Sequence, residues 1–137
     1  MLLNAYLSFD GRCEEAFKFY EKVLGGKIVA MMSAEGTPVE AHFGPEWKKK
    51  IIHARLSLGD KVLMGSDTPP QQYQAAKGMS VTLGLDTRAE AERAFNALAQ
   101  KGTVQMPFAE TFFAEGFGVL TDQFGTPWMV ICEKKRA

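Results

Sequence analysis

The chain has 137 residues, 46% hydrophobic and 23% charged, and its sixteen basic residues balance sixteen acidic ones. That length supplies one ordinary core and no second independent domain, and a net charge of zero supplies no field to draw it to nucleic acid or an anionic membrane. Two cysteines, Cys13 and Cys132, are too few for a disulfide framework and lack CxxC spacing, no stretch has the length of a membrane span, and Met1–Tyr6 shows no basic leader, so the reducing cytoplasm is the expected location.

The alternation of Asn4-Ala5-Tyr6-Leu7-Ser8-Phe9 predicts a half-buried strand. Asp10-Gly11 makes a turn, and Asp10 or Arg12-Cys13 begins a helix with Glu14-Glu15 in its first turn. Ala16, Phe17, Phe19-Tyr20, Val23 and Leu24 form its apolar stripe, and Gly25-Gly26 ends it. Strands are predicted at Ile28 to Met32, around Val39 to Phe43, and at Ile51 to Leu58, which turns through Gly59-Asp60 into Lys61 to Gly65. The aperiodic stretch from Ser66, with Pro69-Pro70 and several glutamines, makes 68–78 a linker between module one, about 1–67, and module two, 79–137.

Module two repeats the pattern. Ser80 to Leu85 is a strand, Asp86-Thr87 opens a helix, and Ala89, Phe95, Leu98 and Ala99 give its stripe before Gly102. Strands follow at Thr103 to Met106, Gly118 to Thr121 and Trp128 to Cys132, with Asp122-Gln123-Phe124-Gly125 as the last hairpin. An offset of 76 places Leu7 on Leu83, Asp10 on Asp86, Arg12 on Arg88, Glu14 on Glu90, Phe19 on Phe95 and Gly26 on Gly102. A fixed internal period marks a duplicated unit, here strand, helix, then three strands. The expected class is α+β, with two βαβββ modules forming curled mixed sheets around a groove. Gly26 and Gly102, as equivalent helix ends, are both expected at positive φ.

On the strand from Ile51, Ile52, Ala54, Leu56 and Leu58 share one face, and His53, Arg55 and Ser57 share the other. If the apolar set packs under the helices, the polar set lines the groove with Asn4, Tyr6 and Ser8, and with Ser80 and Thr82 from module two. Phe112, Phe113, Phe117 and Trp128 would close it, which suits a small polar or anionic ligand. His53 is the best catalytic candidate, against the alternative of a hydrogen-bonded structural histidine. Arg55 is either a fork for carboxylate or phosphate or an internal partner of Glu40 or Glu110. His42 is expected in solvent, and Met31, Met32, Met64, Met79, Met106 and Met129 are expected to fill the core. The runs Lys48-Lys49-Lys50 and Lys134-Lys135-Arg136 read as solvated ends. No strand is followed by Gly-x-Gly-x-x-Gly and no serine sits in a nucleophile elbow.

Several segments, in order, resemble the vicinal oxygen chelate superfamily (glyoxalase I, bleomycin-resistance proteins, extradiol dioxygenases), and within it the PhnB-like branch. They are Tyr6-Leu7-Ser8-Phe9-Asp10-Gly11, Ala16-Phe17-Lys18-Phe19-Tyr20, Leu24-Gly25-Gly26, His53-Ala54-Arg55-Leu56, Leu63-Met64-Gly65-Ser66-Asp67 and Gly118 through Trp128. Catalytic members of the superfamily hold a divalent metal with His, Glu or Gln from the first and last strands of each module. The resemblance puts those positions at Asn4, Ser80 and Met129, with Leu63, Met64 or a neighbour for the last strand of module one. Ser80 and Met129 are poor ligands for a hard or borderline dication and Asn4 is a weak one. The expectation is therefore a protein with no metal or other cofactor that binds a small-molecule ligand and pairs as a homodimer. A divalent-metal glyoxalase or dioxygenase built around His53 is the first alternative, and a drug-sequestering resistance protein is the second.

Overall fold

The computed structural model describes residues 1–135, so Arg136 of the basic tail lies outside the described residues. The chain divides into two compact units, Met1–Ala75 and Ala76–Ala137, with the boundary inside the expected linker. Unit one contains β1 (Tyr6–Phe9), α1 (Cys13–Leu24), β2 (Lys27–Ser33), β3 (Ile51–Leu58) and β4 (Lys61–Asp67). Unit two contains β5 (Val81–Gly84), α2 (Arg88–Leu98), β6 (Thr103–Ala109), β7 (Ala114–Thr121) and β8 (Pro127–Glu133). Each is a βαβββ module with one four-stranded mixed sheet, ordered β1-β4-β3-β2 and β5-β8-β7-β6. The first strand of each runs parallel to the last, and the other pairings are antiparallel. The class is α+β, as the sequence predicts.

One face of each sheet is buried with a helix. In unit one, Ala16, Phe17 and Tyr20 of α1 are fully buried along with Phe9, Ala54 and Leu56. Phe17 meets Phe9 and Tyr20 edge-on, with ring centroids 6.0 Å apart in both pairs, a geometry that adds to the area these rings remove from water. Unit two buries Ala91, Phe95 and Leu98 of α2 with Leu120, Trp128, Val130 and Cys132.

The helix N-termini are satisfied differently. Thr87 caps α2 locally: its hydroxyl accepts from the Glu90 N–H at 3.2 Å, the first half of a capping box, and donates to the Glu90 carboxylate at 2.9 Å, which therefore returns to the hydroxyl rather than to the Thr87 N–H. Arg12 gives α1 no side-chain cap. Instead Asp67, at the end of β4, accepts from the Cys13 N–H at 2.8 Å and from the Ile51 N–H at 2.9 Å.

Three expectations need correction. Met32, Met79 and Met106 are exposed and do not fill the core. Val39 to Phe43 is not a strand but contains a 3₁₀ turn at Glu40–His42. Local bonds hold it: Thr37 Oγ1 donates to the Ala34 carbonyl, and the Glu40 carboxylate accepts from the Gly36 N–H. Short alternation cannot make a strand where the backbone is already bonded locally and Pro38 lacks a donor. Positive φ falls on Gly25 and Lys101, not on Gly26 and Gly102.

Gly26 and Gly102 are equivalent for another reason. Each precedes the edge strand by one residue, where Lys27 pairs with Ser57 and Thr103 pairs with Thr121. A Cβ on Gly26 would lie 2.6 Å from the Ser57 carbonyl and would also strike Leu58, and a Cβ on Gly102 would strike the Thr121 carbonyl. The duplication therefore survives as a backbone approach rather than as a dihedral angle. The same correspondence pairs Tyr6 with Met64 in unit one and Thr82 with Met129 in unit two.

Candidate functional site

Strand alternation gives each sheet a second face, turned away from its helix. In unit one Ala54 and Leu56 are fully buried under α1, which leaves His53, Arg55 and Ser57 on the other face of β3, all partly exposed. Met64 and Ser66 join them from β4, and Tyr6 and Ser8, both exposed, from β1. Asn4 precedes β1 in irregular chain. Ser66, paired with Ser8, escaped the sequence reading, which ended its strand at Gly65; alternation along Leu63-Met64-Gly65-Ser66 carried the signal.

Tyr6 and His53 meet across the intervening strand β4. The phenol oxygen lies 3.2 Å from His53 Nδ1, and the two rings stack with centroids 5.8 Å apart at 25°. Ser57 Oγ donates to the Gly59 carbonyl at 3.3 Å. Arg55 has neither a hydrogen bond nor an ion pair among the described residues, and both carboxylates offered as internal partners are engaged elsewhere. Glu40 accepts from Gly36, and Glu110 pairs with Lys134 at 3.4 Å. The four strands of this sheet carry one carboxylate, Asp67; it pairs in register with the buried Phe9 and is occupied by two backbone donors. Unit one thus presents a face rich in donors and without a carboxylate.

Unit two is less polar at the corresponding positions. Ser80 and Thr82 line a shallow depression of about 580 Å³ with Gln105, Val119, Thr121 and Met129. Gln105 donates from its amide nitrogen to the Thr121 hydroxyl at 3.1 Å. Phe113 is half-exposed and packs edge-on with Phe112 and Phe117, at centroid distances of 5.1 and 5.3 Å. Trp128 corrects the expectation for it. It is 1% exposed on the helix side of β8, where its Nε1–H donates to buried Asp122 at 2.9 Å, and it lines no open face. The Trp128-Met129-Val130-Ile131-Cys132 alternation has two solutions, and the tryptophan takes the one that satisfies its N–H.

The superfamily's metal positions now have a defined register. Met64 is the counterpart of Met129, because each is paired with the equivalent residue of its first strand, and Leu63 is buried. In unit one an amide (Asn4) and a thioether (Met64), and in unit two a hydroxyl (Ser80) and a thioether (Met129), are each poor donors for zinc, nickel, iron or manganese. No three His, Cys, Asp or Glu side chains come together for a metal among the described residues. Neither cysteine is an activated nucleophile. Burial, and then the charges of Asp67 and Glu14, push the Cys13 thiol strongly up; desolvation and a hydrogen bond to Glu115 raise that of Cys132. Both remain protonated thiols at neutral pH.

A second depression, of about 600 Å³, lies beside the start of α1. Most of its charges are engaged: Arg12 pairs with Glu15 and Lys18 with Glu14, both at 2.8 Å, and Lys50 donates to the Gly11 carbonyl, while Glu46 and Lys49, of opposite sign, complete the lining. It mixes acidic and basic side chains, whereas Arg55 stands on a sheet face without a carboxylate.

The sequence profile of the family described as 3-demethylubiquinone-9 3-methyltransferase matches residues 3–131. Protein YjdN of Escherichia coli K12 is 34% identical over 147 residues, spanning 99% of this chain and 98% of its own. Protein PA1353 of Pseudomonas aeruginosa is 47% identical with a TM-score of 0.89, covering 98% of this chain and 99% of that one. The PhnB protein of Bacillus cereus is 27% identical with a TM-score of 0.81, covering 96% and 99%. The fold extends to a glyoxalase/bleomycin resistance protein/dioxygenase family enzyme of Burkholderia phytofirmans, at 13% identity and a TM-score of 0.65 over 96% of this chain and 97% of that one.

Proposed function

The chain belongs to the 3-demethylubiquinone-9 3-methyltransferase family, in the PhnB-like branch of the vicinal oxygen chelate superfamily, and from that membership we propose that it is a cytoplasmic, metal-independent binder of a small anionic molecule. One observation carries the reading: Arg55 stands unpaired on a sheet face that holds His53, Tyr6, Ser8 and Ser66 and no carboxylate. A guanidinium left without a partner presents a planar fork suited to carboxylate or phosphate. A cationic drug would meet the wrong charge on this face, which disfavours the sequestering reading.

The superfamily's dication chemistry does not suit the neutral donor set at Asn4, Met64, Ser80 and Met129. The methyl transfer in the family's description does not suit the turns ahead of the helices either. Asp10-Gly11-Arg12 and Leu85-Asp86-Thr87 lack the glycine-rich loop that lets a helix N-terminus approach a nucleotide-like cofactor.

Calorimetric titration with inorganic phosphate and succinate, after EDTA treatment, tests the proposal. The wild type is expected to bind at least one of them, and Arg55→Met to weaken that binding about tenfold or more, the loss of a charge-assisted bond. Equal affinity in Arg55→Met, or binding abolished by EDTA, would refute the proposal, and choline is expected to give no heat.

The same proposal includes a homodimer. β2 and β6 each pair on one side only, and they expose Val29, Met32, Val104 and Met106. Unpaired edges bearing apolar side chains invite strand or face pairing. Sedimentation at micromolar concentration is expected to give twice the 15.1 kDa chain mass. A species of single-chain mass alone would contradict it.

A further inference from the structure

The contact between Tyr6 and His53 determines which proton His53 carries, and so which ligand atom it can face; this inference rests on the anion-binding reading above. A phenol is a strong O–H donor, whereas a neutral imidazole has one donor and one acceptor nitrogen whose order depends on the tautomer. The hydroxyl of Tyr6 has His53 Nδ1 as its sole hydrogen-bond partner among the described residues, at 3.2 Å. If Nδ1 carried the proton, the ring N–H would donate to the phenol oxygen, a poorer acceptor than a bare imidazole nitrogen, and the phenol O–H of half-exposed Tyr6 would turn to water. If Nδ1 is bare, one bond satisfies both groups and the imidazole proton resides on Nε2.

We infer that Tyr6 is a positioning residue that holds His53 as an Nε2–H donor, so that the ligand group met there is an oxyanion oxygen, on a carboxylate, phosphate or phosphonate, and not an acidic hydrogen awaiting a base. Three further observations agree. The rings stack at 25° across β4, which restricts rotation of the imidazole. Arg55 lies two residues along the same face of β3, about 6.7 Å away along the strand, close enough for one multidentate anion to take both donors. Asp67, the sheet's single carboxylate, is bound to the Cys13 and Ile51 amides and does not compete for the Nε2 proton. His53 therefore binds, and it does not abstract a proton.

The inference separates from the reading beneath it by experiment. The first arm is nitrogen-15 NMR of the ligand-free imidazoles in alkaline buffer, where an ordinary histidine is neutral. His42, exposed in the 3₁₀ turn, is the internal reference, and His53→Gln assigns the signals. His53 is expected to show Nε2–H alone, whereas Tyr6→Phe brings it to the tautomer mixture of His42. The second arm is titration with inorganic phosphate and with succinate, which tells a phosphate-type from a carboxylate-type ligand. Tyr6→Phe is expected to bind about fivefold more weakly, the loss of one neutral hydrogen bond. His53→Gln, which retains an N–H donor, is expected to keep most of the affinity that His53→Leu loses.

An Nδ1–H tautomer in the wild type would overturn the assignment, as would wild-type binding by Tyr6→Phe or equal losses in His53→Gln and His53→Leu. A wild type that binds neither anion would overturn the anion site itself, whatever the tautomer. Tyr6 is half-exposed, so its change to Phe leaves the core intact.

Discussion

Asp122→Ala is expected to lower the stability of the protein by about 3 kcal/mol or more and its melting temperature by about 10 °C. Asp122 is 3% exposed, and each carboxylate oxygen is in use. Oδ1 accepts from the Phe124 and Thr126 amides at 2.9 and 3.0 Å, and Oδ2 accepts from Trp128 Nε1 at 2.9 Å. Removing the side chain takes this acceptor from three N–H groups of buried residues, and a lost bond to a charged group costs about 1.5–3 kcal/mol each, less whatever water replaces. Asp122→Asn should fall between, because an amide can still accept on one side while its NH₂ opposes an N–H on the other. Thermal unfolding decides: an alanine variant melting within about 2 °C of the wild type would show that the carboxylate is not what closes this hairpin.

Alanine at Gly26 and at Gly102 is expected to destabilise the protein by similar amounts, about 2–3 kcal/mol each. At both positions the new methyl group would collide with a carbonyl of the neighbouring strand, Ser57 or Thr121, and sheet backbone cannot move aside without breaking its ladder. Gly25 supplies the contrast. It has φ of 77°, but nothing lies within 4 Å of a Cβ built on it, so Gly25→Ala carries the left-handed penalty alone, about 1 kcal/mol. Urea denaturation of the three variants gives the ranking. Gly25→Ala more damaging than Gly26→Ala would mean that dihedral strain, not close approach, selects glycine at this helix end.

The duplicated architecture was legible because it is written in side-chain chemistry at constant spacing. The 76-residue offset holds through α1 and α2 and into the edge strands, then shortens to 64 between Ser57 and Thr121. The connection at 34–50 in unit one is much longer than that at 110–113 in unit two. Nothing local in the sequence announces where a register resumes after such an insertion, so the counterpart of Met129 could not be chosen between Leu63 and Met64. The polar face of β3 was legible from alternation alone. Its internal chemistry was not, since Tyr6 and His53 are 47 positions apart and meet only because β4 runs between their strands. Trp128 and Asp122 show the converse limit. The sequence Asp122-Gln123-Phe124-Gly125-Thr126-Pro127-Trp128 reads as a hairpin, but alternation fixes only which residues share a face, not which face is buried.

The contrast between the two helix starts bears on the order in which the chain acquires structure. α2 carries its cap within three residues, so its first turn can close as soon as Glu90 has been made. α1 waits for Asp67, 54 positions downstream, and that carboxylate also closes the start of β3. During synthesis, then, the N-terminal helix emerges with an amide unclaimed until nearly the whole of its own unit has followed, and the loop that must close is long enough to slow the step. The half made first is the one built to lock last within itself, and the half made second can begin helix formation with no help from afar.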